Sequence, residues 1–182
     1  MTDNAELHVR RWLYDFVVGL NLCPFARPLL GAANLRIVIC EGSQIVDLRS
    51  VLLQELDLLQ RNSEQDIATT LVAFPQALRN FEDYLQFFDE AQDLLLESCL
   101  DGVVQLASFH PQYRFAGEAP EAASHFSNRA PYPLIHLLRE DMISRALEHV
   151  DDPSQIPDGN IQTLNTIGVP ELERRWQALF LR

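Results

Sequence analysis

Three short apolar runs, LRIVICE at 35–41, IATTLVAF at 67–74 and VVQLASF at 103–109, are separated by two long segments of helical periodicity. Few folds accommodate that order. Short β-branched runs read as buried strands, and strands alternating with helices read as a parallel sheet with helical crossovers. The first crossover carries Ile45, Leu48, Leu52, Leu56 and Leu59 on one face, with Ser43 as the expected cap. The second carries Phe81, Tyr84, Leu85, Phe88 and Leu95 behind Asn80. The expected fold is α/β: one domain over 1–182, with a small, mostly parallel βαβαβ sheet of three to four strands. A helix over 4–20 precedes it. Pro133 is expected to start a helix running to about His149, a short helix covers IQTLNTIG, and Pro170 opens the last one. An antiparallel sheet with a further strand hidden in a loop, a ferredoxin-like α+β fold, is the competing architecture.

Composition limits the partners. The formal charge is −12, so nucleic acid and anionic membrane are not expected to bind the surface as a whole. All 14 basic residues are arginine. Without lysine there is no Schiff base for PLP and no P-loop nucleotide site. No GxGxxG occurs, which removes a Rossmann dinucleotide site as an expectation. Cys23, Cys40 and Cys99 are three in number with no paired spacing. That pattern predicts free cysteines in a reducing, cytoplasmic compartment, with Cys40 and Cys99 in the core. No apolar stretch is long enough for a membrane span.

Chemistry is expected at the carboxyl ends of the strands, where open parallel sheets bind ligands. Glu41, Pro75 and His110 fall there, and the long segment FHPQYRFAGEAPEAASHFSNRAPYP departs from the same edge. Loops of that length in compact domains are binding loops, lids or Ω-type elements. His110 and His136 are candidate acid–base groups, whereas His125 is expected to be exposed. Asn128, Arg129, Tyr132 and Arg139 are candidate contacts for a small anionic ligand, helped by the helix N-terminus expected at Pro133. The bland alternative is that Asn128 and Arg129 hold the loop's own backbone and that Arg139 pairs with Glu140 or Asp141. Cys23, before Pro24, is a candidate nucleophile of lowered pKa; packing is its bland alternative. Cys23, His110, His136 and Glu41 together would make a mixed set for zinc or iron if they converged.

NLCPFA is similar to the CPF segments that open the active-site helix of glutaredoxin-like and omega-type glutathione-transferase proteins. Here helical periodicity precedes it, Pro28 falls where the interior of that helix would be, and no second cysteine stands at CxxC spacing. Taken together, GLNLCPFA, TTLVAFP, ASFHPQYRFAG, NRAPYPLIHLLRE and IPDGNI resemble a bacterial family known as domain of unknown function 1415. The resemblance spans nearly the entire chain. It marks Asn21, Cys23, Pro24, Phe25, His110, Pro111, Phe115, Gly117, Asn128, Arg129, Pro131, Tyr132, Pro133, His136, Arg139 and Glu140 as hallmark positions, and it implies no activity. Ala130 stands where the resemblance leads one to expect serine, so no hydroxyl chemistry is expected at 130.

Two functional readings are open. In one, the chain is an enzyme acting on a small anionic metabolite through Cys23, His110, His136 and Arg129. In the other it is a non-catalytic binding or assembly protein. There the 110–133 loop is structural, and Trp176 and Phe180 dock on a partner or on a second copy in a homo-oligomer.

Overall fold

A computed structural model describes residues 2–148, 150 and 152–181. An α-helix, α1 (Thr2–Trp12), runs directly into a π-helical turn (Leu13–Val18), followed by β1 (Leu35–Ile39), α2 (Ile45–Arg61), β2 (Thr69–Ala73), α3 (Phe81–Glu97) and β3 (Val104–Phe109). After the long loop come β4 (Leu134–Arg139), α4 (Glu140–Leu147), α5 (Ile156–Ile167) and α6 (Val169–Ala178). The expected capping by Asn80 is present: its side chain accepts from the N–H groups of Glu82 and Asp83. At α2 the cap is Gln44, reciprocated by Asp47, and not Ser43.

The sheet is mixed, not mostly parallel. Its order is β1-β2-β4-β3, with β1 parallel to β2 and β4 antiparallel to both of its neighbours. The strands β1, β2 and β3 therefore point one way and β4 is inserted between β2 and β3 in the opposite sense. The element order βαβαββ also differs from the βαββαβ of a ferredoxin-like fold.

The expected helix from Pro133 is replaced by β4. Leu134, Ile135 and Leu137 are fully buried, because a central strand is covered on both faces. Such a strand is a continuous apolar run that periodicity cannot separate from a buried helix. Pro133 sits just ahead of the ladder, where its missing N–H costs nothing, and its carbonyl accepts from Phe74 N–H at 2.9 Å. Helix α4 starts only at Glu140; His149, the expected end of that helix, lies outside the described residues.

Strand alternation sorts the core into two layers. On one face Val72, Phe74, Val104, Ile135 and Leu137 pack against the apolar sides of α2 and α3. On the other, Leu35, Leu71, Ala73 and Leu134 meet α1, its π-helical continuation, Leu164 and Leu172 of the C-terminal helices, and Leu179 just after α6. This second face is incompletely filled, and a cavity remains over the sheet.

Candidate functional site

The π-helical turn at the end of α1 sets the position of Cys23. The Val17 carbonyl accepts from Leu22 N–H at 2.9 Å and from Cys23 N–H at 3.4 Å, closing the helix. Asn21 takes a left-handed conformation, φ 53°, which asparagine tolerates better than most residues. The chain then lays Cys23, Phe25, Ala26, Leu29 and Leu30 across the sheet as turns, with a single 3₁₀ turn at Arg27–Leu29. No helix of the glutaredoxin kind starts at Cys23.

Beneath that segment lies a cavity of about 310 Å³. Its floor is the sheet: Leu35 from β1, Thr69 and Leu71 from β2, Gln105, Ala107 and Phe109 from β3, His136 and Leu138 from β4. Trp12, Leu13 and Val17 close one side, and Met142, Ile143 and Ala146 of α4 close another. Among the described residues no charged side chain lines it; Cys23, Thr69, Gln105 and His136 are its polar groups. π-Helical turns recur at functional sites in helices, and here one supplies Leu13 and Val17 to the wall.

His136 has a defined tautomer. The Thr69 hydroxyl donates to the Leu137 carbonyl at 2.7 Å. Its only proton is thereby used, so across the 2.7 Å contact to His136 Nε2 the imidazole must donate. Nε2 therefore carries a proton, and in the neutral ring Nδ1 keeps an unshared lone pair with no protein partner among the described residues. Removal from water drives the His136 pKa down to about 4. Phe109 lies beside the ring, centroids 6.4 Å apart, and stacks edgewise on Trp12 at 5.3 Å.

Cys23 shares this cavity with His136, but its expected lowered pKa is not present. Burial pushes the thiol up, and the nearby N–H groups of Phe25 and Ala26 offset this only in part. Both groups are thus held neutral, and an ion-paired thiolate–imidazolium is not the resting state.

His110 lies elsewhere. One residue beyond β3, alternation turns it to the opposite face, where it is fully buried between Phe81 and Tyr84. Its Nδ1 accepts from Gln112 N–H at 3.0 Å and its Nε2–H donates to the Leu78 carbonyl at 3.0 Å. Leu78 is itself in a left-handed conformation, φ 56°, which this bond pins. Glu41 is exposed and borders a separate hollow with Cys40, Ser43, Pro75 and Gln76 at the carboxyl edge of β1 and β2. The expected metal set of Cys23, His110, His136 and Glu41 does not converge. Among the described residues no three His, Cys, Asp or Glu side chains come together to hold a metal ion.

Three of the four expected anion contacts, Asn128, Tyr132 and Arg139, are spent on architecture. Arg139 directs Nε to the Ile67 carbonyl and one terminal nitrogen to those of Leu59 and Asn62, at 2.7–3.0 Å, closing the C-terminus of α2; it pairs with neither Glu140 nor Asp141. Asn128 donates to Ser108 O at 3.1 Å, and its own carbonyl accepts from His110 N–H. Tyr132 shares a 2.7 Å hydrogen bond with His8 of α1. Arg129 stacks over Phe126, 4.4 Å from the ring centre, with its Nε buried and unpartnered among the described residues. Burial, then the neighbouring Arg114, lower its pKa against the pull of Glu173. The helix N-terminus expected beside these groups is absent, since β4 occupies that position.

His125 is buried, not exposed, and holds the loop together: Nδ1 accepts from Phe115 N–H at 3.2 Å and Nε2–H donates to Ala119 O at 2.9 Å. Cys40 is buried as expected, whereas Cys99 is exposed, closing α3 at φ 56°. Trp176 is half-buried against Phe16 and Phe126, and Phe180 stays 40% exposed beside His8.

Sequence reasoning missed Thr69, Ala107 and the α4 residues as site components. The one available signal was the pair of threonines, Thr69 and Thr70, that opens a buried strand. No helix among the described residues is long and apolar enough to cross a membrane. No curated protein and no solved structure matches the chain. A family model described as protein of unknown function (DUF1415) matches residues 4–174, and the chain belongs to that family.

Proposed function

We propose that this protein binds a small, largely apolar molecule in the cavity between the sheet and the 23–31 segment. The observation that carries this reading is the unshared Nδ1 lone pair of a neutral His136 in an uncharged enclosure of about 310 Å³. Ligand sites are characteristically apolar, with few convergent polar groups that fix orientation, and an unpartnered acceptor in such a wall favours a ligand that carries a hydrogen-bond donor. The 110–133 loop is structural in this reading, since His110, His125 and Asn128 are consumed in holding it. The expected anionic metabolite loses support, because Arg129 and Arg139 border neither the cavity nor each other's contacts.

A second reading keeps chemistry at the site: Cys23 and His136 as a thiol–imidazole pair acting on the bound molecule. Their shared cavity favours it, and their neutral resting forms mean that the bound ligand would have to promote the proton transfer.

Thermal denaturation with octanol as probe tests the first reading. Saturating ligand should stabilise the protein by about 2–3 kcal/mol at a hundredfold excess over Kd. Ala107→Ile, which places a larger side chain in the cavity floor, should abolish the effect while leaving the protein folded. Equal stabilisation of both proteins would place octanol elsewhere and remove the reading.

A further inference from the structure

A second hollow, of about 510 Å³, adjoins the first. Val17, Cys23 and Phe109 line both, so these three residues stand between them. The two chambers differ in chemistry. The inner one is uncharged and includes the unpartnered acceptor His136 Nδ1. The outer one is bordered by the polar segment 115–128 and by α5.

The polar groups of the outer chamber are unequally occupied. Asn128 directs one amide N–H to Ser108 O, and its Oδ1 shares the Ser127 hydroxyl proton with the Ser124 carbonyl. Asn160 donates to the Leu22 carbonyl at 2.8 Å, which leaves its own Oδ1 free among the described residues. Glu118 has no ion pair or side-chain hydrogen bond among the described residues. Ser124, 4% exposed, has a hydroxyl with no partner among them. No arginine of the described residues lines this chamber. Glu118 is the only charged side chain among the described residues that line it, so the formal charge there is negative.

We propose that the two chambers form one amphipathic site for a primary amine, with an alkyl or aryl body in the inner chamber and an ammonium head in the outer one. An ammonium group carries three donors and no acceptor, which suits the Glu118 carboxylate and Asn160 Oδ1. A carboxylate or phosphate head would meet Glu118 as a like charge in a chain of formal charge −12. The proposal rests on the inner-cavity reading and adds the head-group class to it.

Calorimetric titration at neutral pH with octylamine, octanol and octanoate separates the head-group class from the cavity itself. Octylamine should bind about tenfold more tightly than octanoate, with octanol between them. Glu118→Gln should remove the advantage of octylamine over octanol and leave octanol unchanged. In a Cys99→Ser background octylamine should slow alkylation of Cys23, because the ligand passes it between the chambers. Octanoate binding as tightly as octylamine, an undiminished amine advantage in Glu118→Gln, or unprotected Cys23 would each overturn the head-group proposal while octanol binding keeps the inner cavity. Failure of all three compounds to bind would overturn both.

Discussion

His136 donates its Nε2 proton to the hydroxyl of Thr69, 2.7 Å away across the β2–β4 ladder. Thr69 cannot return it, because its own proton goes to Leu137 O. A threonine two positions before Leu71 in the floor thus decides which nitrogen of the imidazole remains basic.

That arrangement predicts a pH dependence. The pKa of His136 is about 4 in the folded chain and about 6.5 in the unfolded chain. On acidification the unfolded state therefore takes up the proton first. The contribution to stability is complete above about pH 6.5, falls through the window to about 4, and is constant below it. The loss amounts to about 3 kcal/mol. Urea unfolding at pH 7 and pH 4.5 should show this, and in His136→Phe the difference between the two should shrink by about 2 kcal/mol. An unchanged difference would mean that the ring is not shielded from water.

Arg139→Lys should be costly despite retaining the charge. The guanidinium reaches three carbonyls on two segments, and an ammonium on a flexible stem cannot reproduce that fork. A loss of about 2–3 kcal/mol is expected, as for charged hydrogen bonds left unmade. It should appear as a lower denaturation midpoint with an unchanged m-value, and octanol binding should remain.

His110→Ala leaves the Leu78 carbonyl and the Gln112 N–H without their partners and opens space beside Tyr84. The expected destabilisation is about 3 kcal/mol. Because His110 is on the opposite face from the cavity, octanol affinity measured well below the melting temperature should not change. A selective loss of affinity at full stability would restore His110 to the site.

The thiols should react in the order of exposure, not of motif. Cys99 is exposed, Cys23 half-buried with its pKa raised, and Cys40 buried with its pKa raised by burial first. Since the thiolate is the reactive species, iodoacetamide at pH 7.5 should modify Cys99 first. The rate at Cys23 should still be climbing at pH 9. Peptide-resolved mass spectrometry distinguishes the sites; Cys23 reacting fastest would show that its thiolate is stabilised.

Much of the architecture is local and was therefore legible. The periodicities of α2 and α3, the cap at Asn80 and the three short apolar strands depend on neighbours within a few residues, and each element is where its pattern places it. Elsewhere local patterns were ambiguous. PYPLIHLLRE satisfies a proline-led helix as well as a buried strand; what makes 134–139 a strand is the open hydrogen-bonding edges of β2 and β3, which no window of sequence contains.

The candidate site shows the same division. Cys23 and His136 were singled out by residue type, and they meet at one cavity although 113 residues separate them along the chain. His110, Asn128, Tyr132 and Arg139 were singled out on the same grounds, yet their polar atoms are occupied by backbone or side-chain partners. By itself the sequence determined three of the four strands and the two helices between them, the absence of lysine chemistry and the polar groups available. Only the tertiary structure decided which of those groups stay unpaired, because a hydrogen bond between distant segments depends on the strand order that brings them together.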